Sequence, residues 1–339
     1  MTAMTACTNT DTYVLETVAT YDELPANVQQ QIDANLTQGN GILMHGYAVY
    51  SQNCVGCHGI NGDGLGPAAQ RLKIAPRDFT KGIFKFRSTP NGQLPLDADL
   101  HRTLQQGLKG SAMPAFQFMP ENDRNAVIAF IKLYSSRWSD PEEVITPVPI
   151  PAQEPVDIMT DERVLLGRFG YVAMGCQNCH GMTGSGNGPS AATLKDDWDR
   201  PVKAYNYHQG APKGGATPLD VYRTFRTGVT PMPMYQSDTL SFVTRDMKAS
   251  VFPRLVPEEQ QMLEAIVDSL PTQAQVMQWK EEDQERFEEY ANQRAWDLVA
   301  YTLWLRELGH PERAAIWPTD APDGPPAAKS DTADNDNAG

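Results

Sequence analysis

Cys54-Val55-Gly56-Cys57-His58 recurs later in the chain as Cys176-Gln177-Asn178-Cys179-His180. In a Cys-x-x-Cys-His run, the two thiols form thioethers with the vinyl groups of a haem and the adjacent imidazole ligates the iron. The spacing suits this chemistry because two Cys three residues apart on one helical turn reach one edge of the macrocycle. Two copies in similar surroundings predict two covalently attached haems c.

The composition is that of an acidic, loop-rich globular chain. Its 339 residues are enough for two domains with cores of their own, and 26 Gly and 26 Pro favour many loops. The net charge of −14 argues against nucleic acid as a partner and favours proteins with basic faces. No apolar run reaches the roughly 18 residues that a membrane span needs.

The repeat extends to both sides of the motif. Gly46 and Tyr50 match Gly167 and Tyr171 if one residue is inserted before the second motif. After each motif, four Gly and one Pro recur at identical offsets, which predicts a loop with positive-φ turns that approaches the ring closely. A phosphate-binding loop is the alternative, but no Lys-Ser/Thr follows the glycines.

The Pro of this loop is a candidate for orienting the imidazole. We expect the carbonyl of Pro67 in the first copy, or of Pro189 in the second, to accept the Nδ1–H of the neighbouring His. Between motif and Met the two halves differ. Arg87 and Tyr205 are candidate neighbours of the haem edge, because cations and phenols there would offset propionate charge. A solvated loop face is the alternative for each.

A further matching block supplies candidates for the sixth iron ligand. Met113 and Met232 each follow a predicted helix, precede a Pro, and lie three residues before an aromatic residue. A Met-Pro step ends a helix and holds the thioether in a loop, where it can face iron. The alternative is a Met that only fills the core. Met234 competes with Met232, and His101 and His208 are further alternative ligands.

Composition and periodicity divide the chain into segments. The segments are an N-terminal extension with one short helix (1–39), a first domain (40–138), a Pro-rich linker (139–160), a second domain (161–316) and a disordered acidic tail (317–339). Each domain is predicted to close with a helix, over 121–134 and 295–308.

The second domain carries a helical insertion at about 236–292. In it, a helix from Pro257 to Leu270 precedes another helix with acidic runs at 281–283 and 288–289. These runs are either a solvated helix face or a docking surface.

Met4-Thr5-Ala6-Cys7 resembles the end of a bacterial lipoprotein signal, so Cys7 is a candidate lipidation site; a stray terminal Cys is the alternative. Met1 to Ala6 is too short for the apolar region of an export signal. Since haem c is attached outside the cytoplasmic membrane, we expect the protein in the bacterial periplasm or on the outer face of that membrane. A lipid at Cys7 or a partner complex would then provide any membrane attachment.

With these motifs, the chain resembles the class I c-type cytochrome family, as a tandem di-haem protein, over about 40–135 and 163–310. The resemblance implies a mostly α fold with two tandem helical domains, each around one covalently attached haem and joined by the Pro-rich linker. It also implies two ligand sets, namely Cys54, Cys57, His58 and Met113 for one haem, and Cys176, Cys179, His180 and Met232 for the other. The insertion, the extra residue before Cys176 and the doubled Met-Pro-Met depart from the family pattern.

Two closed irons predict an electron carrier rather than an enzyme, because neither iron offers a site to substrate. The carrier would work between extracytoplasmic redox partners, either free or as a subunit of a respiratory or dehydrogenase complex. The alternative is a di-haem peroxidase-like enzyme whose second haem opens. A zinc site shared by the two Cys pairs is a third interpretation, which is disfavoured because each pair has its own His.

Overall fold

The computed structural model describes residues 20–209 and 212–307. The chain divides between Val148 and Pro149 into two compact units, called unit 1 and unit 2 below. This division falls within the predicted linker, 139–160. The candidate lipidation site Cys7 and the predicted acidic tail, 317–339, lie outside the described residues.

Both units are built from helices, as predicted, and the described residues contain two isolated bridges but no extended strand. The α-helices of unit 1 are α1 Ala26–Thr37, α2 Ile42–Asn53, α3 Val55–His58, α4 Asp97–Gln106 and α5 Glu121–Lys132. Those of unit 2 are α6 Asp161–Ala173, α7 Gln177–His180, α8 Pro218–Thr227, α9 Ser237–Leu240, α10 Lys248–Val251, α11 Pro257–Asp268, α12 Gln273–Glu282 and α13 Gln284–Glu307. Short 3₁₀ turns lie at Tyr21–Glu23, Ala69–Arg71, Ser136–Ser139, Ala191–Thr193, Arg245–Met247 and Phe252–Arg254.

Unit 1 is centred on the crossing of α2 and α5. The two helices touch at Gly46, where an added Cβ would lie 2.1 Å from the carbonyl oxygen of Ala126, so only glycine allows this approach. Helix α1 packs on α2 and contributes Val28 and Ile32, which are fully buried. Part of the predicted N-terminal extension therefore belongs to the core of unit 1, since these two apolar residues lie four apart on one helix face.

Unit 2 repeats this crossing with α6 and α13, which meet at Gly167. Helix α13 begins at Gln284 rather than at residue 295, because Phe287, Ala291 and Ala295 extend its buried face without a helix breaker. The acidic pair 288–289 therefore lies on the closing helix and not on a separate insertion helix. Helices α9 to α12 pack against α6 and α13. None of the described helices is both long and apolar enough to cross a membrane.

Helices α4 and α8, which lead toward the two candidate Met ligands, start in the same way. Thr217 caps α8 through a reciprocal bond with Asp220, and Pro218 occupies the first turn. In α4, the buried Asp99 likewise accepts the backbone N–H that precedes the helix, and it also pairs with Arg102. Each start is thus fixed by an acidic side chain in the first turn.

Two candidate haem sites

The first motif forms a single helical turn. Helix α2 ends at Asn53, directly before the motif. The backbone N–H groups of Cys57 and His58 both donate to the carbonyl of Cys54, at 3.1 and 2.9 Å. The second motif, 176–180, makes the same two bonds at 3.2 and 2.9 Å. Each motif therefore places two thiols and one imidazole on a single turn, as its sequence predicts.

The additional residue before the second motif is absorbed by a turn. In unit 1 the N–H of Cys54 donates to Tyr50, four residues earlier, whereas in unit 2 the N–H of Cys176 donates to Tyr171, five residues earlier. Gly175 makes this possible because it adopts a φ of +76°, a backbone conformation that residues with a side chain rarely adopt. The predicted one-residue insertion thus leaves the geometry of the motif unchanged.

The imidazole of each motif is oriented by a backbone carbonyl. Nδ1 of His58 lies 2.9 Å from the carbonyl oxygen of Arg77, and Nδ1 of His180 lies 2.9 Å from that of Tyr205. A carbonyl can only accept, so Nδ1 carries the hydrogen in both rings. Burial lowers the pKa of both imidazoles, which favours the neutral form with the Nε2 lone pair available for a metal.

The prediction that Pro67 and Pro189 supply this acceptor is wrong. The loop after the first motif folds back on the motif itself, where Gly66 donates to Cys57 and Ala68 donates to Gly56, at 3.1 and 2.9 Å. The proline is held between these two bonds against the backbone of the motif. A segment further along the chain therefore supplies the carbonyl for the imidazole.

Aromatic rings lie against both imidazoles. The ring of Phe79 stacks on His58 with centroids 4.5 Å apart, and the ring of Tyr207 lies 5.0 Å from that of His180. Phe79 is positioned by its N–H, which donates to Gly62 at 2.7 Å, and Tyr207 is held by the matching bond to the second glycine loop. These contacts exclude water from one side of each imidazole.

The loop that carries Met113 is closed by two backbone bonds. The N–H of Leu108 donates to the carbonyl of Met113 at 3.0 Å, and the N–H of Phe116 donates to that of Leu104 at 2.7 Å. The second bond ties the loop to the last turn of α4. Met113 is half-buried and packs against the core of unit 1.

The matching loop of unit 2 distinguishes between its two methionines. Val229 donates to the carbonyl of Met232 at 3.1 Å, and Tyr235 donates to Phe225 at 3.0 Å, which reproduces both bonds of unit 1. Met232 therefore occupies the position of Met113, whereas Met234 occupies a position that is alanine in unit 1. Met232 also packs against the core of unit 2.

The other candidate residues are less suited to bind iron. Both ring nitrogens of His208 lie 2.9 Å from backbone carbonyls, those of Leu305 and Thr183, so neither nitrogen is free for a metal. His101 lies half-buried on α4. Met113 and Met232, in contrast, hold matching positions in the backbone bonds of the two loops.

The two candidate haem-edge residues have defined positions. Arg87 is 2% exposed, which excludes a solvated loop face, and its guanidinium donates to the carbonyls of Phe84, Lys85 and Pro90. It thereby braces the loop between the motif and Met113. Tyr205 is half-buried and contributes its carbonyl to the imidazole of the second motif.

These residues suit haem c. All four motif thiols are unpaired, with no disulfide, and Cys54 and Met113 pack against one core while Cys176 and Met232 pack against the other. Each unit therefore packs one motif thiol and the candidate thioether against the same core, and the second thiol and the imidazole lie on the same motif turn as the first thiol. Among the described residues, no group of three or more His, Cys, Asp or Glu side chains is arranged to hold a metal ion.

The helical fold and this set of donor residues are similar to those of c-type cytochrome domains. Comparison with known proteins agrees. Residues 42–131 match the family described as cytochrome C oxidase, cbb3-type, subunit III. A solved chain from the Kuenenia stuttgartiensis reducing HAO-like protein complex is similar to this chain, with 29% sequence identity and a TM-score of 0.56. The match covers 77% of this chain and 95% of that chain. No curated protein matches.

Proposed function

We propose that this protein is a di-haem c-type cytochrome that transfers electrons between extracytoplasmic redox partners. The observation that carries the proposal is the repetition of one hydrogen-bonded site in two units. In each unit a Cys carbonyl accepts from the motif, a distant carbonyl orients the imidazole, and the Met loop is closed by the same two bonds. A single haem would not require the second set.

The proposed ligands follow from these matched positions. The thioether-forming residues are Cys54, Cys57, Cys176 and Cys179, and the axial ligands are His58 with Met113 and His180 with Met232. When bound, the haems supply the one-electron chemistry, and Met ligation raises their potential toward the range of respiratory carriers.

Buried tyrosines hold the glycine loops against the motifs. The hydroxyl of Tyr50 donates to the carbonyl of Gly59 at 2.7 Å, and that of Tyr171 donates to Gly181 at 2.6 Å. Both phenols are almost completely buried, at 0% and 1% exposure. These bonds fix the loop next to each imidazole, so the surroundings that tune a haem potential are held rigidly.

The net charge and the similarity to a solved chain support the proposed partners. The net charge of −14 favours docking to basic faces, with a rate that falls as salt rises. The similar solved chain comes from a reducing HAO-like protein complex, which supports a role as a subunit of a respiratory or dehydrogenase complex. Covalent haem attachment supports a location outside the cytoplasmic membrane, with a lipid at Cys7 as the proposed anchor.

The haem count tests the proposal directly. The protein is produced in a host that matures cytochromes c, and its intact mass and pyridine haemochrome spectrum are measured. We expect two haems in the native chain and one in each paired variant, Cys54→Ala/Cys57→Ala or Cys176→Ala/Cys179→Ala. A native chain with one haem would refute the di-haem assignment.

A second measurement separates the carrier from a peroxidase-like enzyme. Two closed irons give two Met–iron charge-transfer bands in the near infrared, and the reduced protein binds no carbon monoxide. If the second haem binds carbon monoxide and its spectrum changes with peroxide, the enzyme alternative replaces the carrier. The correspondence of Met232 with Met113 supports the carrier.

A further inference from the structure

The Met232 loop is bracketed by two buried polar residues that contact each other. Arg226 lies in the last turn of α8, before the loop, and Ser237 begins α9, after it. They are 8% and 9% exposed, and the guanidinium of Arg226 donates to the Ser237 hydroxyl at 3.3 Å. The two ends of the loop are thereby joined through side chains.

The same two residues tie the loop to the closing helix. Arg226 donates to the side-chain oxygen of Asn292 at 2.6 Å, and Ser237 donates to the carboxylate of Glu288 at 2.5 Å. Glu288 and Asn292 lie four residues apart on α13, hence on one face. Tyr222 completes the network, since its hydroxyl donates to Asn292 at 2.8 Å and accepts from Arg226 at 3.1 Å.

Unit 1 has no such network at the matching positions. Gln105 matches Arg226 and is exposed, and Phe118 matches Ser237 and is 91% exposed. The loop of unit 1 has the two backbone bonds described above and a different side-chain contact. There, Arg124 donates to the carbonyl of Met119, the residue after the exposed Phe118. The clamp at both ends of the loop is therefore a property of unit 2.

We infer that Arg226 is a positioning residue that clamps the Met232 loop to α13 and keeps this ligand from being displaced. The inference rests on the proposed function for the identity of the ligand, but the clamp itself rests only on the hydrogen bonds above. Opening the loop would break charge-assisted bonds in a buried site, where a guanidinium loses more than it would in water. An external ligand should therefore replace Met113 more readily than Met232.

Hydrogen exchange of the native holoprotein tests the clamp. Arg226→Gln places in unit 2 the residue that unit 1 carries at this position. We expect the amides of residues 229–235 to exchange at least about tenfold faster, which corresponds to about 1.4 kcal/mol, while those of 108–116 stay unchanged. Gln105→Ala is the matched control and should alter neither loop, since this side chain is exposed. Unchanged exchange in residues 229–235 would overturn the clamp.

A milder variant covers the case in which Arg226→Gln does not fold. Ser237→Ala removes the contact between the loop ends and the link to Glu288, but leaves the bond from Arg226 to Asn292. We expect a smaller acceleration in the same loop. Exchange at the native rate in this variant would contradict the closure of the loop through its two ends.

Imidazole binding to the ferric protein gives a spectroscopic readout. The hyperfine-shifted haem methyl lines of the proton NMR spectrum resolve the two haems. In the native protein we expect imidazole to replace Met113 first, and in Arg226→Gln we expect at least tenfold tighter binding at the second haem alone. Equal displacement of both methionines in the native protein would overturn the inference. If Met232→Leu kept both Met–iron bands, Met232 would be refuted as a ligand, and the exchange result would still decide the clamp.

Discussion

Replacing Gly167 by Ala tests the crossing of α6 and α13 that precedes the second motif. An added Cβ would lie 1.9 Å from the carbonyl oxygen of Asp297 and 2.6 Å from the Cβ of Tyr301. Contacts between carbon and a carbonyl oxygen are normally about 3.3–3.6 Å, so the helices would have to separate by more than about 1 Å. Such a separation loosens one of the main contacts of unit 2.

The expected loss follows from three effects. Overpacking a core lowers the free energy of unfolding by about 1–3 kcal/mol. A gap of about 0.5–1 Å between the helices removes about a quarter to a half of the dispersion energy of each contact across it. Ala offsets about 1 kcal/mol, because it favours a helix more than Gly does. We therefore expect a net loss of about 2 kcal/mol, or about 4–8 °C in the melting temperature of a domain of this size.

Gly170→Ala is the matched control on the same helix. Its Cβ would lie 3.4 Å from the nearest atom, a side-chain carbon of Leu298, which is ordinary contact. This variant should gain up to about 1 kcal/mol. Both holoproteins are melted by far-UV circular dichroism, and the two variants are compared within one unit because the units need not unfold together. If Gly167→Ala melts at or above Gly170→Ala, the close crossing is wrong.

Three further predictions concern unit 2. Glu259→Gln removes the negative charge from a buried ion pair with Arg168, so it should lower the free energy of unfolding by about 3–5 kcal/mol in urea titrations. The exposed neighbour serves as the control, and Glu258→Gln should change this free energy by less than about 0.5 kcal/mol. Equal effects of the two variants would contradict the buried ion pair. Met234→Leu should keep both Met–iron bands, whereas Met232→Leu should lose one and bind carbon monoxide when reduced; the reverse result would exchange the two assignments. Burial raises the pKa of Tyr301 to about 12, above the ordinary value of 10.0, so its stabilisation is complete below pH 10 and is lost as pH rises toward 12. Tyr301→Phe should therefore flatten the alkaline loss of stability by up to about 1.4 kcal/mol per pH unit, and an unchanged slope would contradict the burial.

The sequence predicted those features that depend on neighbours along the chain. The motif turn, the glycine loop and the helical class all follow from short-range spacing, and the structure shows the turn in both units. The one-residue insertion before Cys176 was also visible, because Gly46 and Gly167 align only if it is allowed. A local pattern suffices for the motif turn and the turn before it, since their bonds join residues three to five positions apart.

Other parts of the candidate site had no sequence signal. The carbonyls that orient the imidazoles belong to Arg77 and Tyr205, which lie 19 and 25 residues from their histidines. Every residue has a carbonyl, so no side chain marks these two positions. For the same reason the proline carbonyls of the adjacent loop were a plausible but wrong expectation.

The sequence by itself therefore predicted the cofactor chemistry, and it determined the duplication of the motif and the order of the elements. The sequence also aligned Met232 with Met113, and the backbone bonds of the two loops agree with that alignment. Only tertiary structure placed α1 in the core of unit 1 and joined Arg226 to α13. These outcomes depend on which distant segments meet once apolar faces are buried. No local sequence pattern distinguishes the side chains that make such contacts from ordinary surface or core residues.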